Sequence, residues 1–198
     1  MSSCSSASSS TSSYGNSVYD VTSSVQALSL ESKAPQDEDL KMEFLDLRNS
    51  PNLNYSLKYV VDHFPNLKSL VLPKDISDDD IAILQGLKSL KILDVSHTNI
   101  KGTHFSFLPA SLEELSCMGC KNLLDPAIMD LKDKKNLRIL NISGTRIIGV
   151  FFAYLPKSLK TLNCDECENI TKTSRAYKYL EKIQGKESCQ KPEEKKQG

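Results

Sequence analysis

The feature that most constrains this chain is an internal repeat of 47 residues. When residues 90–122 are placed over residues 137–169 without a gap, sixteen of the thirty-three aligned positions are identical. Each 47-residue block divides again into units of 22 and 25 residues. The six units begin at Met42, Leu67, Leu90, Leu112, Leu137 and Leu159. Such a period is typical of chains in which one small unit is stacked many times, each unit burying its apolar face against its neighbours.

Each unit contains a short strand pattern. In residues 90–100 (LKILDVSHTNI), Leu90, Leu93 and Val95 fall on one face of an extended chain, because strand side chains alternate between two faces. One such strand is not stable alone, whereas parallel copies bury a continuous core. A small polar residue follows each strand, where a side chain has to satisfy buried backbone groups as the chain turns. These residues are Ser50, Asp75, Thr98, Cys120, Thr145 and Cys167.

Two kinds of segment return the chain from one predicted strand to the next. Helical patterns cover residues 55–64, 128–134 and 171–183, and the three aspartates at 78–80 are placed as in the first turn of a helix. The 22-residue units return through KGTHFSFLPAS (101–111) and IGVFFAYLPKS (148–158), which we predict to be extended. Lys132 and Lys134 are expected to be exposed on this convex side.

The sequence pattern of the unit resembles that of the leucine-rich repeat family. The resemblance implies an α/β fold, a right-handed solenoid of about six repeats over residues 36–183. Its sheet would be parallel and concave, and its convex segments would alternate between helical and extended. The LPxSL sequences at 108–112 and 155–159 resemble leucine-rich repeat proteins that bacteria deliver into host cells. The Cys-x-x-Cys endings instead resemble the cysteine-containing repeats of F-box receptors.

Both ends of the chain differ in composition from the repeats. Residues 1–35 are rich in Ser and carry no charge before Asp20, and residues 184–198 are rich in Lys, Glu and Gln. Neither segment offers enough apolar surface to offset the entropy of ordering it, so we expect both to be disordered. The N-terminal segment, residues 1–35, which we call the head, is either a flexible solubilising segment or an unstructured export signal read by a bacterial secretion machine.

Charge and hydropathy argue against several classes of protein. Lys+Arg and Asp+Glu number 25 each, a balance that does not favour binding to nucleic acid phosphates. The longest apolar run, residues 147–155, is too short to span a bilayer. The N-terminus lacks the basic and apolar segments of a secretory signal peptide. We therefore expect a monomeric protein that is cytoplasmic or delivered into a host cytosol.

Four cysteines form two Cys-x-x-Cys pairs, Cys117/Cys120 and Cys164/Cys167. The pairs lie two units apart, which corresponds to about 10 Å in a parallel sheet with strands ~4.8 Å apart. A tetrahedral zinc ion needs its four sulfurs within about 4 Å of one another. We therefore expect buried structural thiols, with no zinc and no disulfide between the pairs. The sequence predicts no catalytic residue, cofactor or metal, and so no enzyme.

The candidate functional surface is the exposed face of the predicted sheet. Residues that flank the buried leucines point to this concave face, and apolar side chains among polar ones there are typical of a partner site. His97 is expected at its rim. The predicted partner-binding residues are Phe44, Val71, Ile92, Asp94, Glu114, Met118, Ile139 and Asn141. Alternatively, a tail or a helix covers these apolar residues, or they are scattered without a function.

The resulting hypothesis is a non-enzymatic protein–protein interaction module that binds one partner protein on its concave face. The favoured setting is a secreted bacterial effector acting in a host cell. The alternative is an adaptor or substrate receptor of a ubiquitin ligase complex, which would use its tails to dock an enzyme.

The composition of the head generates a first prediction. Deletion of residues 1–35 should leave the free energy of unfolding within about 1 kcal/mol of the full chain, the usual range for changes away from packed features. Chemical denaturation of the two chains measures the difference. A larger loss would mean that the head packs on the repeats.

Overall fold

The computed structural model describes residues 39–48 and 57–170, and both ranges belong to one compact unit of the chain. Within these ranges, six strands form a single parallel sheet in which the spatial order equals the chain order. The strands β1 to β6 are Phe44–Asp46, Ser69–Val71, Ile92–Asp94, Glu114–Ser116, Ile139–Asn141 and Thr161–Asn163. The predicted α/β class, the parallel sheet and the six strand positions are confirmed.

Each strand pairs with the next at equivalent positions of the repeat. The central residues of the six strands therefore form one row, and none of them is more than 2% exposed. The row consists of Leu45, Leu70, Leu93, Leu115, Leu140 and Leu162. Since each inner leucine has a leucine on both neighbouring strands, the row forms a continuous apolar core beneath the sheet.

Three short α-helices lie in the return segments: α1 (Leu57–His63), α2 (Asp78–Ile83) and α3 (Pro126–Asp130). The helix predicted over 55–64 covers Leu57–His63 and ends before Phe64, and residues 55 and 56 lie outside the described ranges. The helix predicted over 128–134 begins two residues earlier and ends at Asp130, because Pro126 suits the first helical turn. The helix predicted over 171–183 and the domain boundaries at residues 35 and 184 lie outside the described ranges.

The two return segments predicted to be extended instead contain 3-10 turns. These turns are Phe105–Phe107 and Phe152–Tyr154. A 3-10 helix has three residues per turn, so Phe105 and Leu108 fall on the same side, and both are buried. Two apolar residues three positions apart therefore favour a tight turn over an extended segment.

Helix α2 begins with the capping arrangement that its acidic first turn predicted. The hydroxyl of Ser77 accepts a hydrogen bond from the Asp80 backbone N–H (3.3 Å), and the Asp80 carboxylate accepts one from the Ser77 backbone N–H (2.9 Å). This reciprocal pair satisfies two backbone donors at the start of the helix. The first residue of the triplet, Asp78, has a different role.

Two aspartates tie the return segments of neighbouring units together. The Asp78 carboxylate accepts hydrogen bonds from the backbone N–H groups of residues 101–103, at 2.8, 2.6 and 2.9 Å. Asp125 does the same for residues 148–150, at 2.9, 2.8 and 3.2 Å. The middle residue of each triplet is a glycine with a φ of +80°, a conformation that lets three successive N–H groups converge on one anion.

The small polar residues after the strands satisfy a backbone carbonyl in pairs. The Thr98 hydroxyl donates to the carbonyl oxygen of Val95 (2.8 Å), and the Cys120 thiol of the next unit donates to the same oxygen (3.1 Å). Thr145 and Cys167 share the Ile142 carbonyl in the same way (2.8 and 3.1 Å). The predicted role is confirmed for these four residues. It is not confirmed for Asp75, which is exposed, and Ser50 lies outside the described ranges.

Lys134 corrects the expectation that it is exposed on the convex side. Only 6% of this residue is exposed, and its ammonium group donates to the carbonyl oxygens of Ser106 (2.7 Å) and Leu108. Carbonyls at the end of a short helical turn lack internal partners, and the lysine supplies the missing donor. Burial lowers the pKa of Lys134. Lys132 is exposed as expected.

The aspartate hydrogen bonds generate a second prediction. Replacement of Asp125 by Ala should lower the free energy of unfolding by about 1.5–3 kcal/mol, because three backbone donors lose a charged acceptor. Asp75→Ala is the control, since that side chain is exposed and its removal should change stability by less than about 0.5 kcal/mol. Denaturant titration compares the two variants, and equal effects would contradict the role assigned to Asp125.

Candidate functional site

The exposed side of the sheet, here called the sheet face, consists of three rows of residues. The register places Phe44, Ser69, Ile92, Glu114, Ile139 and Thr161 in the first row. The second row is Asp46, Val71, Asp94, Ser116, Asn141 and Asn163. The third row lies just beyond the strand ends, where backbone bonds such as His97 N–H to Met118 O (2.7 Å) continue the pairing. It consists of Arg48, Pro73, Ser96, Met118, Ser143 and Asp165. The predicted site residues therefore share one face.

The most exposed apolar residues of this face lie at two places. Phe44 is 50% exposed on the edge of β1, and Ile139 and Met118 are 38% and 39% exposed on β5 and at the end of β4. Ile92 and Glu114 are half-buried and pair directly in the first row. The four residues Ile92, Glu114, Met118 and Ile139 form what we call the central group.

Val71 was predicted as an exposed anchor, and this prediction is wrong because the residue is only 8% exposed. Its neighbours in the second row are Asp46 and Asp94. The Arg48 guanidinium donates to Asp46 at 2.6 Å. The hydrogen bond to Asp46 raises the pKa of Arg48, and the charge of Asp94 contributes further. The short valine is therefore flanked by a longer polar side chain on each neighbouring strand.

The same ion pair changes the titration of Asp46. Burial alone would raise the pKa of Asp46, but the hydrogen bonds from Arg48 outweigh this effect and lower it. The pair is partly exposed, so its contribution to stability is small.

Two predicted partner-binding residues also have a structural task. The Asp94 carboxylate accepts a hydrogen bond from the Ser96 backbone N–H (2.8 Å), and the Asn141 side-chain oxygen accepts one from the Ser143 backbone N–H (3.0 Å). Such bonds to the backbone two residues on are typical of Asp and Asn at the start of a turn. Substitutions at these two positions would therefore disturb the turn as well as any partner contact.

The chain leaves the strands through a row of left-handed residues. His97, Gly119, Gly144 and Glu166 have φ values of 62°, 70°, 64° and 59°. His97 is exposed at this rim of the sheet face. A Cβ atom on Gly119 would lie 2.5 Å from Nδ1 of His97, so the histidine ring covers the glycine and excludes a side chain there.

The sheet face carries an excess of negative charge. Its three rows contain the carboxylates of Asp46, Asp94, Glu114 and Asp165, and Arg48 is the one basic residue in them. Arg48 is bound to Asp46. The central group itself contains Glu114, and Asp94 lies two residues after Ile92 in the second row. This electrostatic pattern favours a partner surface that combines basic and apolar side chains.

The four cysteines of the two pairs are free thiols, and all four are buried. Burial raises the pKa of Cys117 well above its ordinary value, and it raises the pKa of Cys120 and of Cys167. In the described part of the chain, no group of three or more His, Cys, Asp or Glu side chains is placed to hold a metal ion. All four thiols are packed as core residues, and those of Cys120 and Cys167 also donate hydrogen bonds.

The return segments expose a second set of apolar residues that the sequence reasoning missed. We call this set the return-side cluster: Phe107, Leu124, Met129, Ile148, Val150 and Tyr154, each 37–60% exposed. For Phe107 and Tyr154, the sequence signal that would have predicted exposure is the three-residue period of the 3-10 turns. Phe105 and Phe152 begin the turns and are buried, so the aromatic residues two positions later point outward.

Compared with known proteins, the chain matches no family model and no curated protein. Its described part is an α/β repeat unit with one strand per repeat. No helix in residues 39–48 or 57–170 is long and apolar enough to cross a membrane.

The buried thiols generate a third prediction. The pKa values of Cys117, Cys120 and Cys167 are raised in the folded state, so the contribution of these three thiols to stability is present below about pH 8 and is lost as the pH rises above the ordinary thiol pKa. Between about pH 8 and about pH 10, stability should fall more steeply in the wild-type chain than in a Cys117→Ala/Cys120→Ala variant. Denaturation at both pH values measures the slopes, and equal slopes would contradict the burial of these thiols.

Proposed function

We propose that this chain is a leucine-rich repeat protein, a right-handed solenoid, that acts as a non-enzymatic interaction module. The 47-residue repeat, its regularly spaced leucines and the one-strand-per-unit parallel sheet support the family assignment. In this proposal one partner protein binds to the sheet face, and the chain itself is a monomer.

The exposure of the central group is the observation that carries this proposal. Ile139 and Met118 are large apolar side chains at 38% and 39% exposure, and Ile92 lies in the same row as Ile139 with Glu114 between them. Covering apolar surface releases roughly 25 cal/mol per Å². A few apolar anchors with polar neighbours supply most of the binding energy in typical interfaces. The central group combines both kinds of residue on a rigid sheet.

The charge of the sheet face supports a partner with basic residues around an apolar segment. Glu114 lies within the central group, and Asp94 lies on the neighbouring row of β3. Complementary charges of this kind increase association rates and select among partners more than they increase affinity. Binding to the sheet face should therefore weaken as the salt concentration rises.

The setting we favour is a secreted bacterial effector acting in a host cytosol, supported by the resemblance of the LPxSL segments. A second candidate is an adaptor or substrate receptor of a ubiquitin ligase complex. The Cys-x-x-Cys endings of the fourth and sixth units support the adaptor, because they resemble the cysteine-containing repeats of F-box receptors. The adaptor would dock its enzyme through tails that lie outside the described ranges.

A fourth prediction tests the sheet face as the partner site. Affinity purification from a host lysate identifies the partner, and a titration then compares variants. Ile139→Ala and Met118→Ala should each weaken binding by more than about tenfold, because they remove interface anchors. Both should change the free energy of unfolding by less than about 1 kcal/mol, since the side chains are exposed.

Thr161→Ser on β6 and Lys132→Ala on a return segment are the matched controls and should bind like the wild-type chain. Asp94 and Asn141 are avoided because each holds a turn. If the partner binds all four variants equally and is lost only when residues 184–198 are removed, the sheet-face proposal is wrong and the adaptor gains support.

A further inference from the structure

The return-side cluster is the largest set of exposed apolar residues in the described part of the chain. Six of the ten large apolar side chains that are exposed there belong to it, compared with three on the sheet face. Val150 is the most exposed of all, at 60%, followed by Tyr154 at 52%. Exposed apolar residues that lie together on a surface mark an interaction site more reliably than single ones do.

The members of the cluster lie on three neighbouring units and are linked by backbone contacts. The Leu124 N–H donates to the carbonyl of Lys101 (3.0 Å), which connects the third and fourth units. Asp125, the next residue, binds the N–H groups of residues 148–150 in the fifth unit. Helix α3 packs against the 3-10 turns on both sides of it. The cluster is therefore a band of three adjoining return segments, each with exposed apolar side chains.

Basic residues border this band on both sides. Near the strand ends they are Lys101, Lys121 and Arg146, and near the start of the following strands they are Lys132, Lys135 and Lys157, all exposed. The same segments contain three acidic residues, Asp125, Asp130 and Asp133. Asp125 is occupied by its three backbone hydrogen bonds. The border of the cluster is therefore mainly positive, whereas the sheet face is mainly negative.

We propose that the return-side cluster binds the surface of an anionic lipid membrane. Apolar and aromatic side chains at short turns can enter the headgroup region of a bilayer, while flanking lysines and arginines attract anionic headgroups. The contact would be interfacial, because no described helix is long and apolar enough to span a membrane. This function is separate from the one proposed for the sheet face.

Charge argues for a membrane over a second copy of this chain. A two-fold symmetric dimer through the cluster would bring each basic border against its own copy. Like charges placed opposite each other disfavour such an interface. An anionic lipid surface instead complements both borders at once. The core separates the cluster from the sheet face, so a membrane and a protein partner can be bound at the same time.

The chain contains no tryptophan, so a single introduced tryptophan reports on its own surroundings. Val150→Trp should show a blue-shifted emission when vesicles of phosphatidylcholine with about one quarter phosphatidylserine are added. It should show no shift with phosphatidylcholine vesicles alone. Phe44→Trp, which places the probe on the sheet face, is the matched control and should show no shift with either vesicle.

Vesicle co-sedimentation tests the basic borders. Lys101→Glu/Arg146→Glu should weaken binding to the anionic vesicles by at least about tenfold. Lys41→Glu/Lys74→Glu makes the same change in net charge at the first two units, outside the three units of the cluster, and should retain binding to within about threefold. Raising the salt concentration should release the wild-type chain, since headgroup attraction is screened. Circular dichroism and denaturation confirm that each variant is folded.

Three results would overturn the proposal. One is equal binding to neutral and anionic vesicles, or no binding of the wild-type chain to either. Another is a shift at Phe44→Trp equal to that at Val150→Trp. The third is a blue shift at Val150→Trp that grows with protein concentration in the absence of vesicles, because that would assign the cluster to a second copy of the chain.

Discussion

The rest of the structure depends on the register of the parallel sheet. Every strand pairs with the next at the same position of the repeat, so each residue type is stacked on its equivalents. Leucine stacks on leucine to form the core beneath the sheet. On the opposite face, the same register places Ile92, Glu114 and Ile139 side by side. A slip of one residue would exchange these two faces, and the buried leucines strongly disfavour it.

The hydrogen bonds explain why the sequence repeats more closely every 47 residues than every 22 to 25 residues. Asp78 and Asp125 occur once per 47 residues, and each binds the return segment of the following unit. The Thr–Cys pairs also need two successive units, because Thr98 and Cys120 share one carbonyl oxygen. The stacking element is therefore a pair of unlike units, and the sequence repeats most closely at that length.

The sequence alone predicted the strands, their order, the buried leucines and the rows of the sheet face, because these follow from a regular period. It did not predict the burial of Val71, the buried ammonium of Lys134 or the turn contacts of Asp94. The environments of Val71 and Lys134 depend on residues of a neighbouring unit, and a regular period does not report such pairs. The contact of Asp94 is a local turn bond to the Ser96 backbone N–H, which the alternation of strand residues does not reveal. The return-side cluster was missed because a 3-10 turn was read as an extended segment.

Amide hydrogen exchange followed by NMR tests the stacked register most directly. The N–H groups of Val95, Cys117 and Ile142 each donate to the next strand, at 2.9, 2.7 and 2.8 Å. They should exchange far more slowly than amides of exposed turn residues such as Asn99, because they open only when neighbouring repeats separate. The amides of Gly102 and Gly149 should also be protected by their aspartates. Exchange of all five amides as fast as that of Asn99 would contradict the register on which the account rests.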